Sequence, residues 1–84
     1  MNEFQDLEAV EREALWRMSE RWLKEGSNYQ AMGVYWKLLD RYPESEEAQW
    51  ATAEALDLAR TLEKEGKVWQ AISLYGRLAG RGRW

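Results

Sequence analysis

Carboxylates are the side chains of this chain that could do acid–base chemistry or hold a metal ion, because it has no Cys and no His. The commonest general base and the usual ligands of zinc and haem are therefore missing. Glu54 and Asp57 lie three residues apart, as an acid–base pair on a helix might, but solvated helix faces carry such pairs routinely. Glu44, Glu46 and Glu47 head a helix and not a calcium-binding loop. We predict no catalysis, cofactor or metal.

Charge is unevenly distributed along the 84 residues, whose net charge is −3. Residues 40–65 carry eight acids against three bases, whereas residues 66–84 carry four bases and no acid. A protein with this acidic central segment lacks the basic face that nucleic-acid binding requires. The cations near the C-terminus are suited to the negative end of the last helix. The first residues do not resemble a signal peptide, and no apolar run approaches the ~20 residues of a membrane span. We expect a cytoplasmic protein that binds neither nucleic acid nor membranes.

The second half of the chain repeats the sequence pattern of the first half at a constant offset of 40 residues. The identities pair Lys24-Glu25-Gly26 with Lys64-Glu65-Gly66, Gln30-Ala31 with Gln70-Ala71, Tyr35 with Tyr75, Leu38 with Leu78 and Arg41 with Arg81. A repeat period of roughly 20 to 50 residues is typical of stacked supersecondary units, each of which cannot bury its apolar face alone.

Glycine and proline divide the chain into four segments with helical and not strand periodicity. The predicted helices run roughly over residues 3–24, 28–42, 45–64 and 67–79. Gly26 suits the end of the first helix, Pro43 ends the second, and Ser45 can cap the third, as Ser27 or Asn28 can cap the second. We predict a single domain over 1–84, with repeat one at 3–43, repeat two at 45–79 and a flexible tail at 80–84.

Apolar residues at helical spacing predict one inward face per helix. In the first pair these residues are Phe4, Leu7, Val10, Ala14, Leu15, Met18 and Trp22, followed by Ala31, Val34, Tyr35, Leu38, Leu39 and Tyr42. In the second pair they are Ala48, Ala51, Ala55, Leu58, Ala59 and Leu62, followed by Val68, Ala71, Ile72, Leu74, Tyr75 and Leu78. Glu11 falls within the first of these faces, so we expect a nearby cation or partial exposure there.

The order of a helix, a short turn and a second helix occurs twice along the chain. This order predicts an all-α fold of four helices in two stacked antiparallel hairpins. A plain four-helix bundle has the same number of helices but gives no reason for the repeat.

The residues at matching spacing within the two copies resemble the tetratricopeptide repeat, a helical hairpin repeat. The matching positions are Leu15, Met18, Ser19, Trp22, Ala31, Tyr35 and Pro43, then Ala55, Leu58, Ala59, Leu62, Ala71 and Tyr75, with Arg83 where the proline would fall. The period is longer than the family's by about six residues, and two copies are fewer than such arrays usually need. A designed protein built on the same repeat also fits the pattern.

The resemblance implies a protein or peptide partner bound in a groove lined by the first helix of each pair. The residues that match this groove are Glu13, Trp16, Glu20, Leu23 and Lys24, followed by Ala53, Leu56, Arg60, Glu63 and Lys64. Trp16 lies about 160° around the helix from Met18, so the two cannot share one face. Trp16 is either an aromatic anchor for an amphipathic peptide or is covered by neighbouring structure.

A second apolar strip is predicted on the back of the second and fourth helices. It comprises Tyr29, Gly33 and Trp36, and their counterparts Trp69, Ser73 and Gly76. Large rings beside small residues suit a self-complementary surface, which favours a symmetric homodimer over scattered surface aromatics.

The predicted function is protein–protein interaction, as a tetratricopeptide-type adaptor module that self-associates. The alternative is a structural homo-oligomer, natural or designed, with no separate ligand. A ligand-binding helical bundle would need an internal cavity, which the many alanines do not suggest.

Overall fold

A computed structural model of the chain describes residues 3–82, with the side chains of residues 7–80. Four α-helices follow one another: α1 (Glu3–Lys24), α2 (Asn28–Arg41), α3 (Glu46–Lys64) and α4 (Val68–Gly82). Over these residues there is no strand, and α1 packs against α2, so the all-α class and the hairpin arrangement are confirmed. Helix α4 extends three residues beyond its predicted end, to Gly82. Of the predicted tail, residues 83 and 84 lie outside the described part of the chain.

The two turns within the hairpins have the same hydrogen-bond pattern, which explains the repeated Lys-Glu-Gly sequence. Gly26 and Gly66 have φ values of 78° and 83°, in the left-handed region that favours glycine. At the first turn the amide of Ser27 donates to the carbonyl of Trp22 at 2.8 Å, and the amide of Gly26 donates to that of Leu23 at 3.0 Å. Equivalent bonds, to Leu62 and Glu63, form in the second copy. Each first helix therefore ends in a Schellman motif.

The connection between α2 and α3 has a different structure, built on a side-chain cap. The hydroxyl of Ser45 accepts a hydrogen bond from the amide of Ala48 at 3.1 Å and donates to the carbonyl of Tyr42 at 2.8 Å. The predicted cap at Ser45 is thus confirmed. Ser27 occupies the N-cap position of α2, but its hydroxyl donates to the Gln30 side chain and caps no amide.

The chain divides into two compact units, residues 1–51 and 52–84, so the boundary between them falls inside α3. In the first unit, the core between α1 and α2 contains the fully buried Tyr35, Leu38 and Ser19. Ala31 is also fully buried, as expected of a small residue where two helices approach closely. The single domain over 1–84 stays a prediction.

The second unit buries smaller side chains. Ala55, Ala59 and Ala71 are its buried residues among those described at 52–80. Tyr75 is half-buried, and its hydroxyl donates to the carboxylate of Glu63 at 2.9 Å. Burial first, and this hydrogen bond second, raise the pKa of Tyr75 above its usual value.

Several residues predicted to face inward are exposed instead. Leu7, Val10 and Met18 on α1 and Val68 and Ile72 on α4 are about half exposed or more. Among the side chains of α1 that the structure describes, Leu15 and Ser19 are buried, and the predicted apolar face extended about 140° around the helix from Leu15 to Val10. The side of α1 that packs against α2 is narrower than this predicted face. The residues at the far edge of the predicted face therefore stay exposed. The side chain of Phe4 lies outside the described residues.

Candidate interaction surfaces

Two tryptophans and a tyrosine form an aromatic cluster in the first unit. The ring of Trp16 on α1 lies 5.4 Å from that of Trp50 on α3 and 6.3 Å from that of Tyr35 on α2, in tilted orientations. Tyr35 is buried, Trp16 is half-buried, and Trp50 keeps 44% of its surface exposed. Tilted ring pairs at such distances are favourable beyond their buried area. The tryptophan cluster (Trp16, Trp50 and Tyr35) is thus anchored in the core and reaches the surface at Trp50.

Carboxylates surround the tryptophan cluster. Glu13 and Glu20 lie within one turn of Trp16 on α1, and Glu46 and Glu47 lie within one turn of Trp50 on α3. Ion pairs form between Arg12 and Glu47 at 3.2 Å and between Arg17 and Glu13 at 4.0 Å. Glu20 and Glu46 add two further exposed carboxylates. The surface beside the rings is therefore negative on balance.

The structure places the predicted groove residues as follows. In the first unit Trp16 and Leu23 are half-buried, and Glu13, Glu20 and Lys24 are exposed. In the second unit Leu56 is half-buried, and Ala53, Arg60, Glu63 and Lys64 are exposed. Trp16 combines the two interpretations left open by the sequence, because neighbouring rings cover part of it while the rest stays accessible.

Trp50 is not among the residues predicted from the sequence for either surface. Its repeat counterpart is Val10, so the comparison of the two copies gave it no matched role. A usable signal was its position five residues after the predicted cap at Ser45. This places it near the start of the first helix of repeat two, the counterpart of the helix that carries Trp16.

The exposed placement predicted for Trp36 is wrong. Trp36 is 8% exposed, whereas Tyr29 and Trp69 are 90% and 82% exposed. The buried residues of α2 cover about 200° of its circumference, from Val34 through Tyr35 to Trp36. Trp36 thus lies at the edge of a broad buried face, and on α2 the predicted strip overlaps that face at Trp36 alone.

The remaining residues of the predicted back strip are exposed. They are Tyr29, Gly33, Trp69, Ser73 and Gly76. A Cβ added at Gly33 or Gly76 would meet nothing within 4 Å, so both glycines leave open space. On α4, Trp69, Ile72 and Gly76 share one side of the helix at spacings of three and four residues.

A polar network surrounds Tyr42 at the end of α2. The Tyr42 hydroxyl donates to the carboxylate of Glu11, which also pairs with Arg41 at 3.3 Å. The guanidinium carbons of Arg12 and Arg41 each lie 5.6 Å from the centre of the Tyr42 ring. The expectation of a cation beside a partly exposed Glu11 is confirmed. The hydrogen bond to Glu11, and secondarily burial, raise the pKa of Tyr42 above its usual value.

An open depression of about 530 Å³ adjoins this network, lined by Arg12, Tyr42 and the α2–α3 turn. Of its charged groups, Arg12 pairs with Glu47, and Arg41 pairs with Glu11. Over the described residues, no three Asp or Glu side chains converge as a metal site would require. The network therefore joins α1 to the end of α2 and the start of α3.

Comparison with known proteins gives no relative: no family model, no curated protein and no solved structure matches the chain. Over their described residues, none of the four helices has the length and apolarity of a membrane span.

Proposed function

We propose that this protein is a protein–protein interaction module that binds a basic, amphipathic peptide segment at the tryptophan cluster. The observation that carries the proposal is the pair of accessible rings, Trp16 and Trp50, which contact each other. Trp16 also packs against the buried Tyr35, and carboxylates lie beside both rings. The resemblance of the residue pattern to tetratricopeptide repeats supports the same class of function.

The chemistry of the cluster favours a ligand with Lys or Arg beside apolar residues. Tryptophan offers the strongest cation–π surface of the aromatic side chains, and its area suits an apolar anchor. Glu20 and Glu46 are exposed on the two helices that carry the rings. They would attract a cationic segment and repel an acidic one.

The test uses two dye-labelled helical peptides, one with Leu and Lys at helical spacing and the other with Glu at every Lys position. Fluorescence anisotropy should show tighter binding of the Lys peptide. Trp50→Ala should weaken it about tenfold, which corresponds to ~1.4 kcal/mol. The double variant Glu20→Lys/Glu46→Lys should weaken it by at least as much, without removing any ring.

Glu25→Lys is the matched charge control, since Glu25 is exposed at the end of α1, about 13 Å along the helix from Trp16. Trp69→Ala is the matched ring control. Both should bind like the unmodified protein, and circular dichroism should show each variant folded. Equal binding of the two peptides, or equal losses in the control variants, would contradict the proposal.

Self-assembly is a second candidate function, favoured by the exposed apolar residues of α1 and α4. Leu7, Val10 and Met18 on the first helix and Trp69 and Ile72 on the last are uncovered within the chain. Light scattering coupled to size exclusion, over a micromolar concentration series, tests it independently of peptide binding. A mass that stays at 10.0 kDa throughout would exclude it.

A further inference from the structure

Helix α1 has two different sides in the first unit. One side carries Trp16, which packs against Trp50 of α3. Leu7, Val10 and Met18 lie on the other side, between about 120° and 180° around the helix from Trp16. Leu7 is 65% exposed, and the other two are about half exposed. In a repeat array, each first helix contacts the repeats both before and after it, so this uncovered side is where a preceding repeat would lie.

Helix α4 also has an exposed side, at positions whose counterparts on α2 are buried. Its Ile72 and Gly76 correspond, in the repeat alignment, to Met32 and Trp36 of α2. Met32 and Trp36 are both 8% exposed, whereas Ile72 is 50% exposed and Gly76 faces open space. The side that is buried in the first copy is thus open in the second, where a following repeat would lie.

Charge favours pairing of these two helices with each other over pairing of either with itself. Residues 1–14 carry five acids and one base, and residues 66–84 carry four bases and no acid. Two α4 helices brought together would juxtapose like charges, which disfavours a symmetric contact through α4. Two α1 helices would each bring six acids against four bases, whereas α4 against α1 pairs net charges of opposite sign. Opposite charges steer α4 of one molecule towards α1 of another.

We propose that the chain associates head to tail, with the open side of α4 (Trp69, Ile72 and Gly76) seated on the open side of α1 (Leu7, Val10 and Met18) of a second copy. The inference rests on self-assembly and specifies its geometry. Because the two surfaces differ, the contact is heterologous and leaves one free surface at each end. Further copies then add, and the assembly grows beyond a dimer or closes into a ring.

The test uses two variants, Val10→Glu on α1 and Ile72→Glu on α4, with Ala53→Glu as control on an exposed position of α3. All three introduce the same charge at helix positions that tolerate Glu. Light scattering should show oligomers for the unmodified protein and for Ala53→Glu, and monomers for each end variant alone. An equimolar mixture of the two end variants should restore association, but only to twice the 10.0 kDa chain mass.

Each alternative gives a different result. A symmetric α4 contact would leave Val10→Glu dimeric by itself, and a symmetric α1 contact would leave Ile72→Glu dimeric, so either finding overturns the head-to-tail geometry. If the unmodified protein associates but the mixture stays monomeric, the geometry fails while self-assembly stands. An unmodified protein that is monomeric at every concentration overturns both.

Discussion

At the scale of single residues, Tyr42 shows how one side chain links separate segments of the first unit. Its hydroxyl bonds Glu11 on α1, and its ring lies beside the guanidiniums of Arg12 and Arg41. The bond raises the pKa of Tyr42, so the native state holds the phenol proton more tightly than the unfolded chain does. Stability from this bond is therefore complete below about pH 10, the ordinary tyrosine value, and is lost as the pH rises through the higher native pKa.

We expect Tyr42→Phe to be less stable than the unmodified protein at pH 7, and to lose less stability between pH 9 and pH 11. The reason is that the variant has neither the hydrogen bond nor the phenol proton that titrates with it. Urea unfolding at several pH values measures both effects. Tyr29→Phe, at an almost fully exposed ring, is the matched control. If both variants show the same alkaline slope as the unmodified protein, the bond does not contribute as proposed.

At the scale of secondary-structure elements, two serines at helix starts differ in what they bind. Ser45 accepts the Ala48 amide, whereas the Ser27 hydroxyl is directed to the Gln30 side chain. Ser45→Ala should therefore cost about 1 kcal/mol of unfolding free energy, the usual value of an N-cap bond. Ser27→Ala should cost less than about 0.5 kcal/mol. Chemical denaturation compares the two, and equal costs would contradict the assignment of Ser45 as the cap.

The helices themselves were predictable from sequence because their boundaries depend on local chemistry. Gly26, Gly66, Ser45 and Pro43 each act within a few residues, so the helix ends they mark agree with the structure to within a residue or two. Burial depends on which faces meet, which spacing alone does not determine. Trp36 was misplaced because α2 is buried over more than half of its circumference, and Leu7 because α1 is buried over less than its apolar residues suggest.

The candidate site was predicted in part, through Trp16. Its position opposite Met18 follows from helical geometry, so an outward ring could be deduced. Its contact with Trp50 is a tertiary pairing between α1 and α3, and the second copy has no equivalent pair from which to deduce it.

At the scale of the whole molecule, the two units differ in how much side chain each buries. The α2 helix of the first unit buries seven residues, Tyr35 and Leu38 almost completely. On α4, among the described side chains, Ala71 is buried and larger residues such as Ile72 and Leu74 are half-buried or exposed. A fully buried aliphatic side chain contributes about 1.5–3 kcal/mol, so α4 has much less burial energy to resist opening.

We therefore expect the amides of α4 to exchange with solvent at least tenfold faster than those of α2, the equivalent of ~1.4 kcal/mol in opening free energy. Hydrogen exchange read by NMR or mass spectrometry tests this, and it should be run on the Val10→Glu variant, which we expect to be monomeric and which leaves α4 unchanged, so that association cannot protect α4. In the unmodified protein at high concentration, protection of α4 should rise while that of α2 stays constant, because head-to-tail contact covers α4. Equal exchange of the two helices in the monomer would show that burial of the described side chains does not set their local stability. Protection of α4 that does not depend on concentration would show that its open side stays uncovered in solution.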